Sequence, residues 1–282
     1  MLPPDASIFE THGAERPVAH RVRARGHGPI ARLMSPSDLG AALKPFVFLD
    51  LFDYAGPPFE GSLHPHSGIA TLTWIAEGSV HYVDPTGAEG ELPAGGVEWM
   101  QAGRGMWHGG GIAHPGRTRG FQLWIALPAG LELGPTHSRC LMPEELPQVG
   151  PARILLGRLG DRASPLAEPS PMTYLAVRLR AGEQWRYDPP VGHEILWIAL
   201  ATGALRTPDV VQSGELVAFK AGAGAVIFEA QVDSEFVLGS AAPHPHELVC
   251  GNYSVHTSAD ALREGESHIL ALRDAANALI DT

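Results

Sequence analysis

The feature that most constrains this chain is its punctuation: 33 glycines and 25 prolines are scattered along 282 residues instead of being gathered into a linker. They cut the sequence into short runs rich in β-branched, aromatic and aliphatic residues, at 71–76, 97–101, 121–127, 173–179, 194–200, 216–220, 226–229 and 235–239. Runs this short cannot bury an amphipathic helical face, but as strands they can pair with neighbours. Their close succession, with turn residues between them, predicts an all-β sandwich or barrel. A helix is expected only near the C-terminus. There Ser258 offers an N-cap hydroxyl, and Leu262, Ile269, Leu270, Leu272 and Leu279 give a partly amphipathic pattern. A further helical turn is expected near Pro143-Glu144-Glu145-Leu146.

The chain also resembles itself. Trp99-Met100-Gln101-Ala102-Gly103-Arg104-Gly105 is similar to Ala218-Phe219-Lys220-Ala221-Gly222-Ala223-Gly224, an offset of 119 between Gly103 and Gly222. Ile75-Ala76-Glu77-Gly78-Ser79-Val80 is similar to Leu200-Ala201-Thr202-Gly203-Ala204-Leu205, an offset of 125 between Gly78 and Gly203. Nearly equal offsets predict two related β-domains, with the boundary inside 128–150.

Hydrophobic residues make up 44% of the chain, enough for a sizeable core. The formal charge of −11 repels phosphate backbones, which argues against direct nucleic-acid binding. The one basic cluster, His20-Arg21-Val22-Arg23-Ala24-Arg25, has its arginines at alternate positions and is expected on the solvent face of a strand. Two cysteines, Cys140 and Cys250, form no metal or redox motif. Met1-Leu2-Pro3-Pro4-Asp5 has neither the basic nor the apolar region of a secretory leader, and no apolar run approaches the ~20 residues of a membrane span. A soluble, cytoplasmic protein is expected.

Most of the 14 histidines are isolated. The exception is Leu63-His64-Pro65-His66-Ser67-Gly68. Residues i and i+2 of a strand share a face, so both imidazoles can reach one ion at ~2.0–2.2 Å. Pro65 donates no ladder hydrogen bond, which places the segment at a strand start or an edge. His108 follows a glycine-rich turn and could supply a third ligand if the strands fold back. The counterpart positions of the second copy carry Tyr187, Pro189 and Val191 in place of the pair, and Ile227 in place of His108. Any metal is therefore expected in the first domain.

On these residues the chain resembles a known family. Phe46-Val47-Phe48-Leu49-Asp50, then His64-Pro65-His66-Ser67-Gly68 and 71–78, is similar to the start of the N-terminal cupin of the pirin family. The stretch 93–105 resembles that family's PGDVQWMTAGRG-like segment, and 120–128 its LQLWVNLP-like strand. The resemblance implies two cupin (double-stranded β-helix, jelly-roll) barrels packed face to face, with a short C-terminal helix. It divides the chain into an N-terminal cupin with the metal site, 1–135, and a C-terminal cupin without ligands, 136–282. It implies one divalent transition metal on His64, His66 and His108, iron first, with zinc, nickel and copper as alternatives. It further implies a monomer with a flavonol-like small-molecule substrate or a protein partner.

Two positions depart from the family. Where pirins place a glutamate two residues after the third histidine this chain has Gly110, and a second family glutamate is replaced by Ala70. A centre of three neutral imidazoles keeps the full +2 charge of its ion, which favours a divalent state and anionic ligands. The run Gly109-Gly110-Gly111 is expected to widen the pocket. His114 is a possible replacement ligand.

Other candidates read as structural. His244-Pro245-His246 repeats the spacing of the pair but is expected in a solvated turn. His193 and Glu194 are expected on opposite faces. Glu98 is expected to face solvent or cap a turn, with support of the metal ligands from behind as the alternative, and Trp74, Trp99, Trp124 and Trp197 to lie in the core. Gly103-x-Gly105 has no helix after it and reads as a turn. Three functions stay open: a quercetin 2,3-dioxygenase-type oxidoreductase, a metal-responsive regulatory binding protein of the transcription-cofactor kind, and a degenerate cupin that holds no metal.

Overall fold

A computed structural model describes residues 16–83 and 89–278; Met1–Asp5 and Leu279, named above, lie outside the described residues. Two seven-stranded antiparallel sheets dominate. The first runs His137–Leu141, Val97–Gln101, Ile69–Glu77, Gly116–Ala126, Phe46–Gly56, Ile30–Met34, Arg25–His27. The second runs Val18–Arg23, Glu215–Phe219, Ile195–Thr202, Ser234–Ala241, Met172–Leu179, Ala152–Leu156, Gln148–Val149. A smaller sheet closes each into a barrel. Phe59–Glu60, Met106–Ile112, Ser79–Val83 and Glu89–Pro93 close the first, and Gln184–Tyr187, Val226–Ala230, Ala204–Thr207 and Asp209–Gln212 the second.

Each large sheet is buried on both sides. One face of each meets the other sheet in a shared apolar core that includes Leu49, Leu72, Trp74 and Trp99 from the first barrel and Leu155, Tyr174 and Trp197 from the second. Phe46 meets Trp197 edge-on across this core, with ring centroids 5.3 Å apart. The other face of the second sheet fills its own barrel with Ile154, Leu175, Ile198 and Leu238, which pack with Phe228 of the smaller sheet. The other face of the first sheet lines a pocket. Burial on both sides explains why Ile69–Glu77 is a near-continuous apolar run with every residue but the last buried.

The expected strands are present at both offsets of the repeat. The C-terminal helix spans Ala259–Ala278, and the Ser258 hydroxyl accepts from Ala261 N–H at 3.2 Å as its cap. A 3₁₀ turn covers Pro143–Glu145. The basic arm forms Val18–Arg23 with its arginines exposed, and Arg21 pairs with Glu215 at 3.1 Å.

Two segments, one near the start and one near the end of the described residues, each cross to the far barrel. Val18–Arg23 pairs with Glu215–Phe219 and so edges the second sheet. The C-terminal segment returns to the first barrel, where Ser254 bridges to Ser67 and the Ile269 carbonyl accepts from Trp107 Nε1 at 3.0 Å.

Candidate metal centre

His64–His66 is a three-residue strand paired antiparallel with Met106–Ile112. Its register sets His64 opposite His108 and His66 opposite Met106. The alternation of the strand puts both rings of the pair on one face, and the antiparallel partner brings the third beside them. The ring centroids are 4.5 Å apart for His64–His108, 5.0 Å for His64–His66 and 5.2 Å for His66–His108. One nitrogen from each ring lies within 4.8 Å of the others, and this is the group among the described residues able to hold a metal. A tetrahedral ion with bonds of ~2.1 Å sets its ligands roughly 3.4 Å apart, so small ring rotations close the site.

The outer nitrogens are held. His64 Nδ1 lies 3.2 Å from the Ser62 carbonyl, and His66 Nδ1 lies 3.0 Å from the Tyr253 carbonyl. A carbonyl accepts only from N–H, so each contact places the proton on Nδ1 and leaves Nε2 free to ligate. The Nε2 atoms of His66 and His108 are buried without a hydrogen-bond partner among the described residues. Each such orphan costs on the order of 1–3 kcal/mol unless something binds it. The residues present therefore fit a metal.

Burial pushes the His66 imidazolium well below its ordinary pKa of 6.5, and the neighbouring His108 and His64 add to this. His64 is lowered for the same two reasons, burial first and His108 second. Both are thus neutral at pH 7, the form that binds metal. Burial also lowers His193 and His256. The unfolded chain accordingly binds more protons than the folded one below about pH 6.5, so stability falls as pH drops through that value. The metal-free protein should lose urea-unfolding midpoint steadily between pH 7 and 5. Carboxylates such as Asp53, held low by Arg117, lose their contribution only nearer pH 4. A midpoint that is flat from pH 7 to 5 would contradict this.

The rings stand at the floor of a pocket of about 590 Å³. Phe48, Tyr54, Phe59, Trp124 and Tyr253 form its apolar walls. Trp124 stacks on Phe48 at 4.1 Å and presents an edge contact to His66 at 4.7 Å. Trp124 is therefore a pocket wall, which corrects its reading as core; Trp74, Trp99 and Trp197 are core as expected, at 2%, 2% and 0% exposure.

Glu98 departs from the solvent-facing position expected first and takes the alternative one, behind the histidines. Its side chain is 14% exposed, and Oε1 lies 3.8 Å from His108 Nδ1. Oε2 sits 3.2 Å from the Thr73 hydroxyl. It points into the pocket because the sheet is covered on both faces, so neither side of Val97–Gln101 meets bulk water.

The glycine run does not simply widen the pocket. A Cβ at Gly110 would lie 2.4 Å from the His81 carbonyl oxygen, and one at Gly111 would lie 2.2 Å from that of Phe59. The missing side chains are replaced by the close approach of neighbouring backbone. Ala70 is fully buried in the core between the sheets. His114 is exposed and bonds Glu91 at 3.1 Å, away from the cluster.

His244 is buried at 6% and contacts the Leu127 carbonyl at 3.3 Å, so only His246 of that pair fits a solvated turn. His193 is buried against Ser240 Oγ at 2.9 Å, whereas Glu194 is exposed. Sequence reasoning missed Tyr253 and the buried chain Ser67–His256–Glu132, linked at 2.9 and 3.1 Å. That chain anchors the C-terminal segment beneath His66, and its members lie too far apart in sequence to form a motif.

Two closed antiparallel barrels joined sheet to sheet, with a histidine cluster in one of them, define a two-barrel cupin. The Pirin family model matches residues 29–125. A pirin-like protein of Caulobacter vibrioides is 31% identical over 199 residues, covering 63% of this chain and 69% of the relative. This chain belongs to the pirin family. A Pseudomonas aeruginosa protein named "putative quercetin 2,3-dioxygenase" is 29% identical over 240 residues, covering 78% of this chain and 83% of that one. Among solved structures, the quercetin 2,3-dioxygenase of Acinetobacter baumannii superposes with TM-score 0.85 at 22% identity, covering 92% of this chain and 98% of that one. The Escherichia coli pirin YhhW, solved with nickel(II), gives 0.65 at 20% identity, covering 81% and 98%.

Proposed function

We propose that this chain is a metal-dependent oxidoreductase of the quercetin 2,3-dioxygenase type, acting on a flavonol-like small molecule in the first barrel. His64, His66 and His108 are the metal ligands, iron is the first candidate ion, and nickel, copper and zinc follow. The observation that carries the reading is the pair of buried, unpartnered Nε2 atoms beside a third imidazole at the floor of an aromatic pocket. In this reading 1–135 and 136–282 supply the bulk of two cupin units, Val18–Arg23 and His137–Leu141 crossing to the other sheet, and only the first holds ligands. The protein acts as a cytoplasmic monomer; among the described residues no helix is long and apolar enough to cross a membrane.

A bound transition metal supplies Lewis-acid and redox chemistry at the pocket floor. The chain supplies the rest. Phe48 and Trp124, stacked on each other with Arg32 over the far face of Phe48, offer apolar ring edges to a bound ring system. Asp50 faces the same space, and burial raises its carboxyl above the ordinary value while Arg32 opposes the rise. Asp50 therefore takes a proton more readily than an exposed aspartate does, although Arg32 pairs with both of its oxygens.

The test is metal analysis of protein purified without a histidine tag, followed by reconstitution with each ion and measurement of O₂ uptake with quercetin. About one metal per chain and quercetin-dependent O₂ uptake with at least one ion are expected. Protein that retains no metal and takes none up overturns the reading. Metal uptake without quercetin-dependent O₂ consumption overturns the substrate assignment and leaves the regulatory reading.

A further inference from the structure

Five strands of the first large sheet set five polar side chains in one register row. Arg32 lies opposite Asp50, Asp50 opposite Gln122, Gln122 opposite Thr73, and Thr73 opposite Glu98. All five line the pocket that holds the histidines. Arg32 pairs with both oxygens of Asp50, and the Thr73 hydroxyl lies between Gln122 Oε1 at 2.7 Å and Glu98 Oε2 at 3.2 Å.

The second barrel has a matching row of opposite character. Ile154, Leu175, Leu238, Ile198 and Val217 are paired in the same succession and fully buried. The repeat relates the two rows: Glu98 and Val217 share the offset of Gly103 and Gly222, and Thr73 and Ile198 share that of Gly78 and Gly203. The first barrel thus forgoes at these positions the apolar burial that stabilises the second.

Glu98 ends the row beside the metal cluster. Its Oε1 is 3.8 Å from His108 Nδ1, while the ligating candidate Nε2 of that ring is buried on the other side. The outer nitrogens of the other two rings face neutral backbone carbonyls. Position 110 has no room for a carboxylate, since even a Cβ there would overlap the His81 carbonyl oxygen.

We infer that Glu98 is the carboxylate of this centre, a positioning residue that orients His108 from behind and brings the local charge from +2 to +1. The Thr73 hydroxyl, 3.2 Å from Oε2, is the side chain placed to hold it. This inference rests on the three-histidine metal reading, and the carboxylate acts through His108 rather than as a ligand.

The test uses Co(II) alone with the full chain, reading affinity by competition with a chromophoric chelator and geometry by the visible Co(II) spectrum. E98Q keeps the size and hydrogen-bonding reach of the side chain and removes its charge. It should weaken Co(II) binding about 10- to 100-fold and alter the spectrum, while the unfolding midpoint of the metal-free protein stays at the wild-type value. E98D, which retains the charge, should stay within a few-fold of wild type, and T73V should weaken binding in the same direction by less. Wild-type affinity and spectrum in E98Q, or equal losses in E98Q and E98D, overturn the assignment alone. Failure of wild-type protein to take up Co(II) overturns it together with the three-histidine reading.

Discussion

His108→Ala is expected to lower affinity for a divalent metal roughly 60- to 700-fold. Structural metal sites gain about 10–16 kcal/mol from four ligands, so one ligand is worth some 2.5–4 kcal/mol, and each 1.4 kcal/mol is tenfold. His108 is the natural choice because it alone of the three comes from the opposing strand, across from His64. Truncating it leaves the His64–His66 pair in place with two nitrogens that open solvent positions must complete. Metal analysis after purification, with competition against a chelator, reads the effect directly. His246→Ala, at the other His-x-His of the chain, should leave metal content unchanged, because His246 lies outside the cluster. Equal metal content in the two variants would remove the three-histidine centre.

The second large effect is on stability. Trp197→Ala should cost about 3–5 kcal/mol, the usual range for an aromatic truncated in a packed core. Trp197 is fully buried between the two large sheets, edge-on to Phe46 from the other barrel and 5.9 Å from Tyr174. Gly239 leaves the space the indole occupies, since a Cβ there would lie 2.4 Å from its ring. The indole N–H has no partner among the described residues, so its removal also relieves a buried polar group and moves the cost toward the lower figure. Urea unfolding of the metal-free variant measures the loss. Because the side chain lies on the sheet face away from the pocket, Co(II) affinity of the folded variant should match wild type. A stability change under 1 kcal/mol would mean that the two barrels do not depend on their shared core.

Much of the site was legible because strands have a period of two. His64 and His66 are neighbours at i and i+2, and that spacing alone puts both on one face. The turn before His108 is equally local. What could not be read locally is which face of a strand is wet. In a one-sided sheet Trp99 inward means Glu98 outward, and that reasoning sent Glu98 to solvent. Here both faces of Val97–Gln101 are covered, one by the second barrel and one by the smaller sheet, so Glu98 turns inward as well. Trp124 was misplaced for the same reason, since one inward face is core and the other is pocket.

The glycine run shows a related limit. A missing side chain in sequence looks like empty space, whereas only the packed backbone reveals that His81 and Phe59 carbonyls occupy it. Tyr253 and the Ser67–His256–Glu132 chain were invisible because their members are brought together by the return of the C-terminal segment.

The sequence by itself determined the β-class, the internal repeat, the C-terminal helix and the histidine pair, since each follows from local spacing or from short-range turn chemistry, whereas His108 entered as a fold-back candidate and through the family resemblance. Only the tertiary structure decided the cross-strand row from Arg32 to Glu98, the inward turn of Glu98 and Trp124, and the crossing of the two segments to the far barrel. Register and layer packing are set by contacts between residues far apart in the chain, and a strand carries no local mark of what will cover its second face.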